Sequence, residues 1–172
     1  MSNATASVEN TAEGDYRGSQ GRTLYIGIDP GLSGAIALLW PDGTAAVWDT
    51  PTVVVKGTRR DYLAGEMRGV LATAQDTGYR LAAVVERVAG MPGMGTFATG
   101  YAQGRGVGLW EGLLAGMGIP YELIEPARWK GKMGLHGKDK AGSVVLAQRL
   151  FPSVAGVFVG PRGAAKDGRA EA

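Results

Sequence analysis

Residues 24–29 read Leu-Tyr-Ile-Gly-Ile-Asp and run directly into the turn signal Pro30-Gly31. This short apolar, β-rich run predicts a buried strand that ends at Asp29. Two further apolar runs, at 35–40 and 45–48, also end in Pro, Asp and Gly or Thr turn signals. Three strands joined by tight turns predict an antiparallel meander.

The rest of the chain alternates between helix and strand patterns. An apolar stripe that starts at Leu63 predicts a helix over about 59–77, and the run 81–86 predicts a strand parallel to the first. A helix at 101–117, a strand at 121–124, a basic loop, a helix at 139–151 and a last element from about Ala164 follow. The order βββαβαβα predicts an α/β fold, in which helices flank a five-stranded mixed sheet of order 3-2-1-4-5.

Composition bounds the class of protein. The 172 residues, of which 45% are hydrophobic, suit one domain over 23–172, preceded by a polar, disordered leader at 1–22. The chain has no cysteine and a single histidine, His136, which excludes disulfide scaffolds, thiolate zinc sites and two-histidine metal motifs. Neither a membrane-length apolar run nor a signal pattern is present, so we expect a protein of the cytoplasm that does not bind membranes.

Two acidic residues end apolar strands of the predicted sheet, Asp29 on the first and Glu86 on the fourth. A right-handed crossover makes these strands neighbours, so both carboxylates are expected at one edge. Their repulsion favours a divalent cation, and carboxylate oxygens suit Mg²⁺ or Mn²⁺. Asp167 and Glu171, four residues apart on the last helix, join them if that helix crosses the edge. Taken singly, Asp29 also suits a turn former, and the last pair suits a solvated helix face.

Positive charge is concentrated between Arg128 and Lys140. Because this segment follows the fifth strand, we expect it beside the acids, where it would neutralise a phosphodiester backbone. Trp129 and His136 either stack on bases or, for Trp129, anchor the packing. The basic residues that we predict to bind DNA are Arg105, Arg128, Lys130, Lys132, His136, Lys138 and Lys140.

A glycine-rich loop at 89–95 leads to the second helix, and Met91, Met94 and Phe97 lie in or just after it. These apolar side chains either wedge into a distorted duplex or pack down as a lid. The spacing Gly104-x-Gly106-x-Gly108 lies inside the predicted helix, which argues against a dinucleotide fingerprint. Glycine there favours either close helix packing or the close approach of a ligand backbone.

Several stretches together resemble a known family. IGIDPGLSGAIALL at 26–39, VVER at 84–87, GLWEGLL at 108–114, EPARWK at 125–130, GKDKAGSV at 137–144 and DGRAEA at 167–172 occur in this order. They resemble the RuvC-type Holliday-junction resolvases of the ribonuclease H-like superfamily, in the phage and chloroplast branch. The resemblance covers about 23–172.

The resemblance implies a homodimeric, Mg²⁺-dependent endonuclease that resolves four-way DNA junctions by two symmetric nicks, with no small-molecule cofactor. It implies two metal ions per site, one held by Asp29 with Glu171 or Asp167 and the other by Asp29 with Glu86. Many members space the last acidic pair i, i+3, whereas here the spacing is i, i+4. Lys140 matches a lysine that touches phosphate, and Phe97 or Met94 matches a residue that disturbs base stacking.

Other functions fit parts of the same pattern. A sugar-kinase or actin-like ATPase also has a first strand ending in Asp-x-Gly, although that family generally needs two such domains. A non-catalytic junction-binding protein would keep the acids as relics. Another ribonuclease H-like nuclease, which cuts RNA–DNA hybrids or flaps, would share the metal centre.

Overall fold

The computed structural model describes residues 21–87, 96–137 and 140–172, with Lys140 described by its backbone only. The strands are, in chain order, β1 Thr23–Asp29, β2 Ala35–Leu39, β3 Ala45–Asp49, β4 Thr52–Lys56, β5 Arg59–Tyr62, β6 Arg80–Glu86 and β7 Tyr121–Ile124. The α-helices are α1 Ala64–Gln75, α2 Phe97–Gly116, α3 Pro126–Lys132, α4 Lys140–Leu150 and α5 Asp167–Glu171. Short 3-10 turns occupy Pro152–Phe158 and Pro161–Gly163.

A five-stranded mixed sheet, ordered β3-β2-β1-β6-β7, lies at the centre of the fold. β1 pairs antiparallel with β2 and parallel with β6, and β6 pairs parallel with β7. The predicted order 3-2-1-4-5 is therefore confirmed, since β6 and β7 are the fourth and fifth strands of this sheet.

Helices cover both faces of the sheet. Leu24, Ile26 and Ile28 alternate along β1 toward one face, where they pack against buried residues of α1 and α2 such as Leu71 and Trp110. A smaller cluster around Val144 and Phe158 also packs Val47 of β3 and Ala170 of α5. The sheet thus carries a large core on the α1–α2 side and leaves its other face to α4 and α5.

The predicted helix over 59–77 is wrong at its start. The chain first forms the hairpin β4–β5, which turns at Gly57 with a φ of 57°, and α1 begins only at Ala64. The helical spacing of apolar residues begins at Leu63, so the pattern carried no information about residues before it.

Three other boundaries also differ from the prediction. α2 begins at Phe97 rather than near 101, because Thr96 caps it by accepting a hydrogen bond from the Thr99 backbone N–H at 3.2 Å. The basic segment is not all loop: α3 occupies its first part, with Pro126 in the first turn, where a missing N–H costs nothing. α5 begins at Asp167 rather than near 164.

Some predictions fall outside the described residues. These are the leader up to residue 20, Met91, Met94, Lys138 and the side chain of Lys140. The extent of the domain stays a prediction. Within the described ranges, every helix is too short or too polar to cross a bilayer.

Candidate acidic site and nucleic-acid interface

Asp29 and Glu86 end neighbouring parallel strands. Ile28 of β1 lies opposite Val85 of β6, so the next residues in register are the two acids. Ile28 and Val85 both point into the α1–α2 core, and strand alternation therefore turns both carboxylates to the opposite face. The structure brings these acids together at the carboxyl edge of the sheet.

The turn after β1 holds Asp29 in place. The Gly31 backbone N–H donates to Asp29 Oδ1 at 3.2 Å, and the Gly34 N–H donates to the Gly31 carbonyl at 2.9 Å. A Cβ at Gly34 would lie 2.8 Å from Asp29 Cγ, closer than packing allows. Asp29 is therefore a turn former and a site carboxylate at once.

Glu86 is partly buried and lies near two other carboxylates. The indole N–H of Trp129 donates to Glu86 Oε2 at 3.0 Å. Burial raises the pKa of Glu86, and the carboxylates of Asp29 and Glu171 act in the same direction, while the Trp129 bond and the Lys130 ammonium lower it. A cation bound here would relieve this repulsion.

Glu171 reaches the same region from α5. Its carboxylate accepts a hydrogen bond from Ser143 Oγ at 2.8 Å and forms an ion pair with Lys130 Nζ at 3.1 Å. Glu86, Glu171, Trp129 and Ser143 line one cavity of about 260 Å³ between the sheet and α3–α5. Lys130, whose side chain is partly buried, thus supplies positive charge beside the acids.

Asp167 is placed differently. It lines another cavity, with Ser33, Asp49 and Thr50. Residues four apart on a helix are separated by about 6 Å along its axis. Asp167 and Glu171 thus line different cavities, and between them Gly168 packs α5 against Ser33 and Gly34 in the turn that follows Asp29.

An arginine clamp fixes α5 to the sheet. Arg169 donates from Nε and Nη2 to the two oxygens of Asp49 at 2.6 and 2.9 Å, and from Nη1 to the Val157 carbonyl at 2.9 Å. The Arg169 hydrogen bonds lower the pKa of Asp49. This fork positions the helix that carries Glu171.

The donor set suits a hard divalent cation. Mg²⁺ is commonly held by one or two carboxylates together with waters and substrate phosphate oxygens, and Asp29 and Glu86 supply such a pair. Among the described residues, no group of three or more acidic or histidine side chains is close enough to hold a metal ion. Glu171 is instead paired with Lys130.

The predicted DNA-binding residues divide into two sets. Arg128, Lys132 and His136 are exposed on or just after α3. Lys130 turns inward to Glu171, and Arg105 of α2 forms an ion pair with Asp61 and lies 5.9 Å from the centre of the Tyr62 ring. Trp129 donates its indole N–H to Glu86, a contact that neither of its predicted roles included.

An exposed aromatic pair begins α2. Phe97 is 91% exposed and Tyr101 64% exposed, and their rings stack with centroids 6.5 Å apart. Phe97 was predicted to contact DNA, whereas Tyr101 was not.

Sequence reasoning also missed Ser143, Tyr62 and Arg169. Ser143 is a buried polar residue beside the apolar residues of α4, and this pattern in the sequence could have indicated a serine with a specific hydrogen-bond partner. Tyr62, whose hydroxyl shares its one proton between the carbonyls of Pro30 and Ala102 at 3.2 and 3.1 Å, falls in a segment predicted to be helical. Gly106 packs against the same Pro30 carbonyl, which confirms the close packing predicted for one of the α2 glycines.

Comparisons with known proteins agree with this architecture. The chain has the ribonuclease H-like fold of RuvC: it matches Thermus thermophilus RuvC in complex with a Holliday junction substrate at a TM-score of 0.51 and 17% identity, over 87% of this chain and 88% of that one. A second T. thermophilus RuvC structure gives a TM-score of 0.50 and 18% identity, over 86% and 89%.

In sequence, the chain is 43% identical over 63 residues to the chloroplastic Holliday junction resolvase MOC1 of Chlamydomonas reinhardtii. That stretch is 36% of this chain and 7% of the relative's length. No family model matches. The resemblance to RuvC-type resolvases is confirmed by this relative together with the fold.

Proposed function

We propose that this chain is a structure-selective DNA endonuclease that resolves four-way junctions. The observation that carries the proposal is the register of β1 and β6, which sets Asp29 beside Glu86 at the carboxyl edge of a RuvC-like sheet. The sequence likeness to a chloroplastic Holliday junction resolvase and the fold of a junction-bound RuvC support the choice of substrate.

Asp29 and Glu86 would hold Mg²⁺, with Mn²⁺ as a substitute, and Glu171 and Asp167 would complete a site for two ions. When bound, the metal ions supply an activated water and stabilise the leaving 3′ oxygen. Trp129 holds the Glu86 carboxylate in one orientation through its indole N–H. Lys130 and Ser143 hold Glu171 and offset its charge near Glu86.

The exposed residues Arg128 and Lys132 would contact the phosphodiester backbone, as would Lys138 and Lys140, and the exposed His136 would stack on a base. Phe97, with Met94, would disturb base stacking near the junction centre, and the exposed ring of Tyr101 extends that surface. Two copies of the chain would make paired nicks on a symmetric junction. The proposed location is the cytoplasm of a bacterial or phage-infected cell.

The test incubates the full chain with a synthetic four-way junction, a linear duplex, a flap and an RNA–DNA hybrid, each with Mg²⁺ or with chelator. We expect Mg²⁺-dependent nicks placed symmetrically in the junction and little cleavage of the other substrates. Cleavage of the hybrid or the flap in preference to the junction would favour another ribonuclease H-like nuclease.

Asp29→Asn isolates the role of the site. It should reduce nicking by at least about 100-fold, an effect of the size seen when a residue central to charge stabilisation is lost, while junction binding is kept or tightened because a negative charge is removed. The control is Asp76→Asn, which makes the same chemical change at an exposed residue at the end of α1, away from the site. It should leave both the nicking rate and junction binding unchanged. Equal losses of binding and nicking in Asp29→Asn would contradict a metal-ligand role.

A further inference from the structure

The β4–β5 hairpin stands apart from the central sheet and carries exposed positive charge. Its two strands form a separate two-stranded sheet, and its end contains Lys56, Arg59 and Arg60, all exposed. None of these basic residues has an ion-pair partner within the part of the chain that the structure describes.

Like charges face each other across this hairpin. Lys56 and Arg59 are direct cross-strand partners at its end. Like charges in that position destabilise a β-ribbon unless an anion lies between or beside them. The arrangement is thus unfavourable for the isolated fold and favourable for binding a polyanion.

Two side chains of β5 fasten the hairpin to the turn that holds Asp29. The Arg60 guanidinium donates to Ser33 Oγ at 2.7 Å, in the turn that holds Asp29, and Tyr62 donates to the Pro30 carbonyl in the same turn. Burial raises the pKa of Tyr62, the carboxylate of Asp29 acts in the same direction, and the Arg60 guanidinium lowers it.

A cleft lies between the hairpin and the start of α2, where Tyr101 is the one residue of the exposed aromatic pair that lines it. Its volume is about 550 Å³, and Arg59, Arg60, Tyr101 and Arg105 are among its lining residues. A nucleic-acid strand lying in this cleft would pass from the aromatic pair along the basic hairpin toward the Asp29 turn.

We propose that the β4–β5 hairpin is a second DNA-backbone contact, in which Lys56 and Arg59 bind phosphates of a duplex arm whose neighbouring strand enters the acidic site. A two-stranded ribbon fits the width of a DNA groove. The exposed side chains before the turn are Val53, Val54 and Val55, which offer no hydrogen bonds to base edges, so the contact is to the backbone and independent of sequence. The identity of the nucleic acid as junction DNA rests on the proposed function.

The test compares Lys56→Ala/Arg59→Ala with the wild type by fluorescence anisotropy on a labelled four-way junction, in chelator and over a range of salt concentrations. Two lost phosphate contacts should weaken binding by about five- to tenfold each at 0.1 M salt and reduce the salt slope, d log K/d log [salt], by about 2. The melting temperature without DNA should stay the same or rise, because the like-charge pair is gone.

The matched control is Arg68→Ala/Arg80→Ala, which removes two exposed charges from α1 and from the start of β6, at the opposite end of that strand from Glu86. It should leave the salt slope unchanged. Equal slopes for the wild type and the hairpin variant, or equal losses in both double variants, would overturn the hairpin contact. A change in oligomeric state of the hairpin variant, measured by sedimentation, would assign the hairpin to a protein interface and also overturn it. The nicking assay tests the proposed function separately from the hairpin contact. If the hairpin binds no DNA, the wild type should still nick the junction and Asp29→Asn should still fail to do so.

Discussion

Asp49→Asn tests the clamp that holds α5 against the sheet. The substitution keeps the size of the side chain but replaces the carboxylate that accepts two hydrogen bonds from Arg169 at 2.6 and 2.9 Å. Lys166 lies 3.7 Å from the same carboxylate, so the lost charge faces two cations. A weaker clamp would loosen the helix that presents Glu171.

The size of the effect follows from geometry and exposure. Hydrogen bonds to charged groups contribute about 1.5–3 kcal/mol, whereas exposed ion pairs contribute about 0–1 kcal/mol. The Asp49 side chain is 49% exposed and that of Arg169 is 26% exposed. The contribution of this pair should therefore lie between that of a buried charged hydrogen bond and that of an exposed ion pair. We expect Asp49→Asn to lower the free energy of unfolding by about 1 kcal/mol in urea denaturation at pH 7.

The pH dependence has a definite sign. The pKa of Asp49 is lowered in the folded protein, so its stabilisation is complete above the ordinary carboxyl value of 3.8 and is lost as pH falls through the lower folded value. The difference between wild type and Asp49→Asn should therefore shrink as the pH drops below about 4. Equal stabilities at pH 7, or a difference that persists to the lowest pH at which the protein stays folded, would refute the clamp.

Two further predictions concern the site and its support. Trp129→Phe removes the indole hydrogen bond that lowers the pKa of Glu86, so this pKa should rise further. NMR titration of the Glu86 carboxyl group in chelator measures the shift. An unchanged pKa would mean that the bond is absent in solution. Gly106→Ala places a methyl group against the Pro30 carbonyl and the Tyr62 hydroxyl and should destabilise the protein by about 1–3 kcal/mol. Gly104→Ala, two residues away in open space, should stabilise it by about 0.5–1 kcal/mol, and chemical denaturation that gives both variants the same sign would contradict this packing.

The sheet was predictable because its strands are short apolar runs that end in strong turn signals. The placement of Asp29 and Glu86 on one edge followed from the crossover rule, which acts on strand order and needs no side-chain detail. The hairpin β4–β5 was not predictable in the same way. Its Val-rich strand is exposed on both faces, so it lacks the alternation that marks a half-buried strand.

The partners of the acids could not be read from the sequence. Lys130 lies in a basic run in which each lysine looks equally solvated, and only the orientation of α3 turns this one toward Glu171. The difference between Asp167 and Glu171 depends on how a helix of five residues crosses the sheet, which spacing alone does not determine. Trp129 was predicted to be a packing residue or a base-stacking one, and neither prediction included its hydrogen bond to the Glu86 carboxylate.

The clamp between Asp49 and Arg169 joins residues 120 positions apart in the chain. Closing so long a loop is slow, because its entropy must be overcome before the contact contributes any stability. During synthesis, the meander that contains Asp49 leaves the ribosome long before the helix that contains Arg169. Glu171, the carboxylate that α5 carries, therefore joins Asp29 and Glu86 only after the strands that bear those two acids have been synthesised.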